Sequence, residues 1–142
     1  VDSQPDGCGK LVTVTFKSYA VQDDCEGAGD GEFRFRLYVT PPGGSAIPFS
    51  QNADNLDDNE THTFPTNFTT TFAIRPGQSF TISGHVWEAD DSSGDEDWNF
   101  TRTYTYDAAT TGDKTIGAQA GEADDGCFDD HVMTVSFTIG RL

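Results

Sequence analysis

Hydrophobic residues recur with period two in short runs along this chain, and no stretch sustains the 3.6-residue period of an amphipathic helix. Residues 11–19 set Val12, Val14, Phe16 and Ser18 against Leu11, Thr13, Thr15, Lys17 and Tyr19, which predicts a strand with one mostly polar face. Residues 32–40 repeat the pattern, with Phe33, Phe35, Leu37 and Val39 opposing Arg34, Arg36 and Tyr38. Further strands are predicted at 46–50, 68–74, 79–88, 98–106, 114–119 and 132–139. Pro48 removes a ladder donor and assigns the third of these to an edge. Between the fourth and fifth, Arg75-Pro76-Gly77-Gln78 carries Pro and Gly where a hairpin turn needs them. Eleven Phe, four Tyr, two Trp and a Thr-rich background agree with strands and turns. The expected fold is all-β: an eight-stranded antiparallel β-sandwich forming a single domain over residues 1–142.

Charge changes the picture more than composition does. The chain has 24 Asp and Glu against eight Lys and Arg, a formal net charge of −16. Nineteen of those acids fall within 21–31, 51–60, 88–97 and 120–130, and no Lys or Arg does. In an antiparallel sandwich of consecutive strands, successive connections alternate between the two ends. The acidic segments are the first, third, fifth and seventh connections, so all four are expected at one pole. The even-numbered connections hold only Asp107 and Asp113. Carboxylates gathered this densely repel one another and raise each other's pKa unless cations neutralise them.

Such a charge disfavours nucleic acid, whose phosphates are bound through Lys and Arg. No apolar run approaches the roughly 18 residues of a membrane-spanning helix. The oxygen-rich loops suit calcium, which takes six to eight ligands from carboxylates and carbonyls. Zinc and copper prefer His and Cys, and His62, His85 and His131 are expected within or at the ends of strands, away from the cysteines. An EF-hand loop pattern is missing from the sequence.

Asp24 and Asp30, six residues apart, fall in the first loop, and Glu88, Asp90, Ser93 and Glu96 follow in the fifth connection as acid-x-acid-x-x-Ser-x-x-acid. This arrangement resembles the calcium-binding loops of C2 domains. The resemblance implies that Asp24 and Asp30 reach toward Glu88, Asp90, Ser93 and Glu96 around one calcium ion or more. Asp57, Asp58, Asp124, Asp125 and Asp129 are secondary candidates for metal, and Trp98 and Phe128 for contact with a further ligand. Asp and Gly also populate turns for backbone reasons alone, so any single Asp here has a plain solvated-turn explanation.

Cys25 and Cys127 lie in the first and seventh connections, hence at the same predicted pole, and are the favoured disulfide pair. Cys8 is left over, free or paired with another chain. No Gly-x-Ser-x-Gly elbow occurs and no substrate platform accompanies the paired carboxylates, so the expected role is binding and not catalysis. Together these readings predict a secreted or cell-surface module in which calcium organises one pole, for stability or for a carbohydrate, protein or phospholipid ligand. Two alternatives stand beside it. One is a salt-adapted acidic domain with no specific metal site; the other is a calcium-dependent phospholipid binder.

Overall fold

In β2 (Gly31–Thr40) Phe33, Phe35, Leu37 and Val39 are fully buried, while Arg34, Arg36 and Tyr38 keep partial exposure. Alternate side chains of a pleated strand point to opposite faces, so the period-two pattern sends one set into the core and the other outward. The computed structural model describes residues 9–22, 31–56, 60–88, 97–119 and 132–142. Besides β2, the described residues form β1 (Lys10–Gln22), β3 (Ile47–Leu56), β4 (Thr61–Thr63), β5 (Thr69–Ile74), β6 (Ser79–Glu88), β7 (Asp97–Thr105), β8 (Gly112–Gln119) and β9 (Val132–Arg141). A single 3-10 turn, Ala108–Thr110, joins β7 to β8.

Two antiparallel sheets result. In sheet A the order is β4-β1-β9-β8, with β5 also paired to β1; in sheet B it is β3-β2-β6-β7. The sandwich expected from the sequence is therefore present, with nine strands instead of eight. The ninth arises because one lane beside β1 is broken in two. Thr61 to Thr63 pair with Ala20 to Ser18, and Thr69 to Ile74 pair with Thr15 to Lys10. Between them the ladder is held by Phe64 N–H to Lys17 O at 2.9 Å and Phe16 N–H to Phe68 O at 2.9 Å, while Pro65 to Asn67 turn outward. Since β4 and β5 run the same way along β1, the alternation of connections between the two poles survives.

The same place explains a second departure. β1 carries a bulge against β9, where Phe16 pairs with Phe137 but Ser18 pairs with Ser136. One extra residue shifts the phase of everything beyond it. Lys17 is exposed, Ser18 leaves the inward set predicted for it and Tyr19 turns inward to 3 % exposure, against the polar face predicted for it. β3 also outruns its prediction. It continues through residues 51–56, where pairing of Gln51, Asn52 and Ala53 with Phe35, Arg34 and Phe33 overrides a weak local preference for strand.

Aromatic rings fill the layer between the sheets. Phe64 and Phe68 stack at 5.5 Å, Phe16 meets Phe49 edge-on at 5.4 Å, and Tyr19 lies 4.5 Å from Phe35, joining sheet A to sheet B. Near the other end Phe72 lies 5.3 Å from Phe80. Offset and edge contacts of this kind contribute about 0.5–1.5 kcal/mol each beyond area burial.

Turns at that other end follow their sequences. Gly44 N–H donates to Pro41 O at 3.1 Å, and Gly43 has a φ of 67° that suits glycine. Gln78 N–H likewise closes on Arg75 O at 3.0 Å. This second turn is not a hairpin, because β5 belongs to sheet A and β6 to sheet B. Asp107 caps the 3-10 turn by accepting from Ala109 N–H at 2.8 Å and from the Thr110 hydroxyl. Replacing it, as Asp107→Ala, is expected to cost about 1 kcal/mol in a urea unfolding curve, the usual loss for a side-chain cap.

Candidate functional site

Six register pairs at or near strand ends mark one pole of the sandwich. In sheet A, Gln22 stands opposite Val132, Val132 opposite Gln119, and Ala20 opposite Thr61. In sheet B, Gly31 stands opposite Leu56, Phe33 opposite Glu88, and Trp87 opposite Asp97. The Tyr19–Phe35 contact aligns these two rows across the core. Every acidic connection of the sequence leaves from and returns to this set of ends. All eight Lys and Arg residues, by contrast, lie in the described strands and turns, together with only seven of the 24 acids. The body is thus close to neutral.

Glu88 closes β6 beside Phe33 of β2. Asp24, Asp30, Asp57, Asp58, Asp90, Ser93, Glu96, Asp124, Asp125 and Asp129 lie outside the described residues, as do Phe128, His131, Cys8, Cys25 and Cys127. Among the described residues no three His, Cys, Asp or Glu side chains stand together in a way that could hold a metal ion. Two expectations for nearby residues can be judged. Trp98 was expected to contact a ligand, but it is fully buried, with its ring 5.7 Å from Phe33. It shares the inward phase of Phe100 and serves the core. His62 does lie within a strand, in contact with the Glu60 carboxylate and 5.8 Å from the Tyr19 ring. Burial pushes the Tyr19 hydroxyl pKa up, and a hydrogen bond with Gln51 partly offsets this.

The outer face of sheet B holds a constellation that the sequence reading missed. Register across β3, β2, β6 and β7 sets Asn52, Arg34, Trp87 and Asp97 in one row and Ser50, Arg36, His85 and Asn99 in the next. The Arg36 guanidinium lies 5.1 Å from the centre of the Trp87 ring, and the His85 and Trp87 rings stack at 5.0 Å. Arg34, Arg36, His85 and Trp87 are all partly exposed. A third row continues with Pro48, Tyr38, Ser83 and Thr101. This is a basic and aromatic strip on a strand face that the sequence suggested was merely polar.

Sheet A presents a different outer face, covered by hydroxyls. Thr13 bonds Thr71 at 3.2 Å, Thr15 bonds Thr69 at 2.9 Å, and Thr115 bonds Ser136 at 3.1 Å. Thr138 donates to Asp113 at 2.7 Å. These are cross-strand pairs, and Thr115, Ser136 and Thr138 among them line an open depression of about 620 Å³ with Lys17, Asp113 and Lys114.

Among solved structures, the chain is similar to one of CC2D1B, a C2-domain-containing protein described as acting in the mitotic reformation of the nuclear envelope, with a TM-score of 0.50 and 5 % identity. The likeness covers 97 % of this chain and 56 % of that one, so the present chain spans little more than half of its structural neighbour. At that identity it reaches the fold alone, which fits a C2-like sandwich. No protein-family model matches the sequence, and no curated protein does. Among the described residues no helix is long and apolar enough to cross a membrane.

Proposed function

We propose that this chain is a binding module of the cell surface or extracellular space whose acidic pole is organised by calcium. The observation that supports this best is the meeting of four acid-rich connections, none of which contains a Lys or Arg, on one set of strand ends. Carboxylates crowded in this way cost stability through repulsion, and a hard divalent cation with flexible coordination offsets that cost. Asp24 and Asp30 of the first connection and Glu88, Asp90, Ser93 and Glu96 of the fifth are the proposed ligands. Asp57, Asp58, Asp124, Asp125 and Asp129 are available for a further ion.

Salt adaptation has less support. It calls for acids over every exposed face, yet the outer faces of both sheets carry Thr, Ser, Asn and Arg. Phospholipid recruitment draws little support from the far pole or the faces, where the exposed large hydrophobic side chains among the described residues are Leu11 and Leu142.

Asp90→Asn tests the assignment directly. Calcium affinity by titration calorimetry is expected to fall at least about tenfold, or 1.4 kcal/mol, while the calcium-free fold melts at the same temperature or slightly higher. Unchanged affinity would overturn the choice of the fifth connection.

A further inference from the structure

We propose that the outer face of sheet B is the ligand-binding surface of this module and that it takes an acidic polysaccharide built from uronic acids. The inference rests on the reading of the chain as a binding module and adds the ligand class. Arg34, Arg36 and His85 share this face with Trp87, and Glu32 is the one acid with a described side chain on β2. Cationic groups are scarce in a chain of net charge −16, so Arg34 and Arg36, side by side on β2, form a local basic patch next to the His85 and Trp87 rings. An anionic ligand complements it.

The side-chain types narrow the anion. The Arg36 guanidinium lies over the Trp87 ring and donates from Nη1 to Phe35 O at 2.9 Å, two contacts that orient it, and its remaining N–H donors suit a carboxylate. Trp87 and Tyr38 offer apolar ring surface to the C–H face of a sugar, and both end in polar groups suited to a wet interface. Around them Ser50, Asn52, Ser83, Asn99 and Thr101 supply donors and acceptors for hydroxyls. From Arg34 to Tyr38 the strip runs about 14 Å along the strand, at about 3.4 Å per residue, enough for several sugar units.

A uronate also accounts for the neighbouring pole. Trp87 and Arg34 pair one residue from Glu88, so a chain lying on the strip ends beside the acidic connections. Bare carboxylates there repel a polyanion. Calcium bound by the acids proposed above would remove that repulsion. A phosphate-bearing membrane would instead call for large exposed aliphatic side chains on the strip, and among the described residues the exposed large hydrophobics are Leu11 and Leu142, neither of them on sheet B.

Titration with a galacturonate oligomer in millimolar calcium tests this, alongside a neutral cello-oligosaccharide and phosphatidylserine vesicles. The galacturonate is expected to bind and the other two are not. Arg36→Gln and Trp87→Ala are each expected to weaken binding at least tenfold without lowering the melting temperature much, since both side chains lie outside the core. Lys17→Gln removes a charge from the opposite sheet and is expected to leave binding unchanged. Equal loss in Lys17→Gln, full binding by Arg36→Gln, or vesicle binding in place of sugar binding would overturn the proposal. Galacturonate binding that survives a chelator yet is lost in Arg36→Gln supports the face and counts against the calcium pole. A calcium-stabilised protein that ignores galacturonate does the reverse.

Discussion

Adding millimolar calcium to chelated protein is expected to raise its melting temperature by roughly 10 °C, and molar sodium chloride is expected to raise it far less. A ligand present at about a thousand times its dissociation constant stabilises the folded state by about 4 kcal/mol. For a chain of this size each kcal/mol shifts the midpoint by about 2–4 °C. Sodium at molar concentration shortens the Debye length to about 3 Å and so screens the pole's repulsion, but it does not replace directly bonded oxygen ligands. The contrast between the two salts is the measurement. An equal response to both would favour general salt adaptation and remove the specific site. Calcium sites also make the response saturate, whereas screening keeps growing with ionic strength.

Gly84→Val is expected to lose about 3 kcal/mol or more of stability, the largest effect of any single substitution considered. Gly84 sits mid-strand in β6, opposite Leu37 on one side and Phe100 on the other. A Cβ built there would come within 2.5 Å of the Phe100 ring and 2.9 Å of a Leu37 methyl. The Phe100 ring fills the space that a side chain would need. Overpacking a dense core forces side chains off their rotamers and commonly costs 1–3 kcal/mol. Valine adds two further methyls where even one carbon does not fit. Chemical denaturation measures the loss. Combining Gly84→Ala with Phe100→Leu is expected to cost less than the two single changes summed, because the smaller ring position receives the new methyl. Simple additivity would show that the clash is relieved elsewhere.

Much of this arrangement was legible in the sequence. Phe33 to Val39 and Met133 to Ile139 alternate without interruption, and both strands form with those residues inward. Loop parity was legible too, because it depends only on strand order and holds even though one lane is split. Tyr19 was misplaced because a bulge inserts a residue without any mark in the local pattern. The bulge lies in the pairing of β1 with β9, opposite the break between β4 and β5, and both partners are distant in sequence. Trp98 carried its own correction: Phe100 and Tyr104 follow it at even spacing, so its inward phase outweighed its place beside an acidic run. The basic strip could not be read in advance. Arg36 and Trp87 are far apart in the chain, and only the register of β2 on β6 brings them together.

One feature of sheet A bears on how the molecule comes to be made. β1 has β9 as its partner along almost its whole length, from Val12 with Arg141 to Gln22 with Val132, and Leu142 N–H closes on Leu11 O at 3.0 Å. Sheet B draws its four strands from residues 31–105 alone. During synthesis, therefore, sheet B has all its strands while β1 still lacks its central neighbour, and its inner face has no complete sheet to lie on. Contacts between such distant parts of a chain form slowly, because a long loop must close before they give any return. A ribosome-bound intermediate would expose the Phe-rich side of sheet B until residue 141 emerged, and the dense negative charge already translated would keep neighbouring nascent chains apart in the meantime.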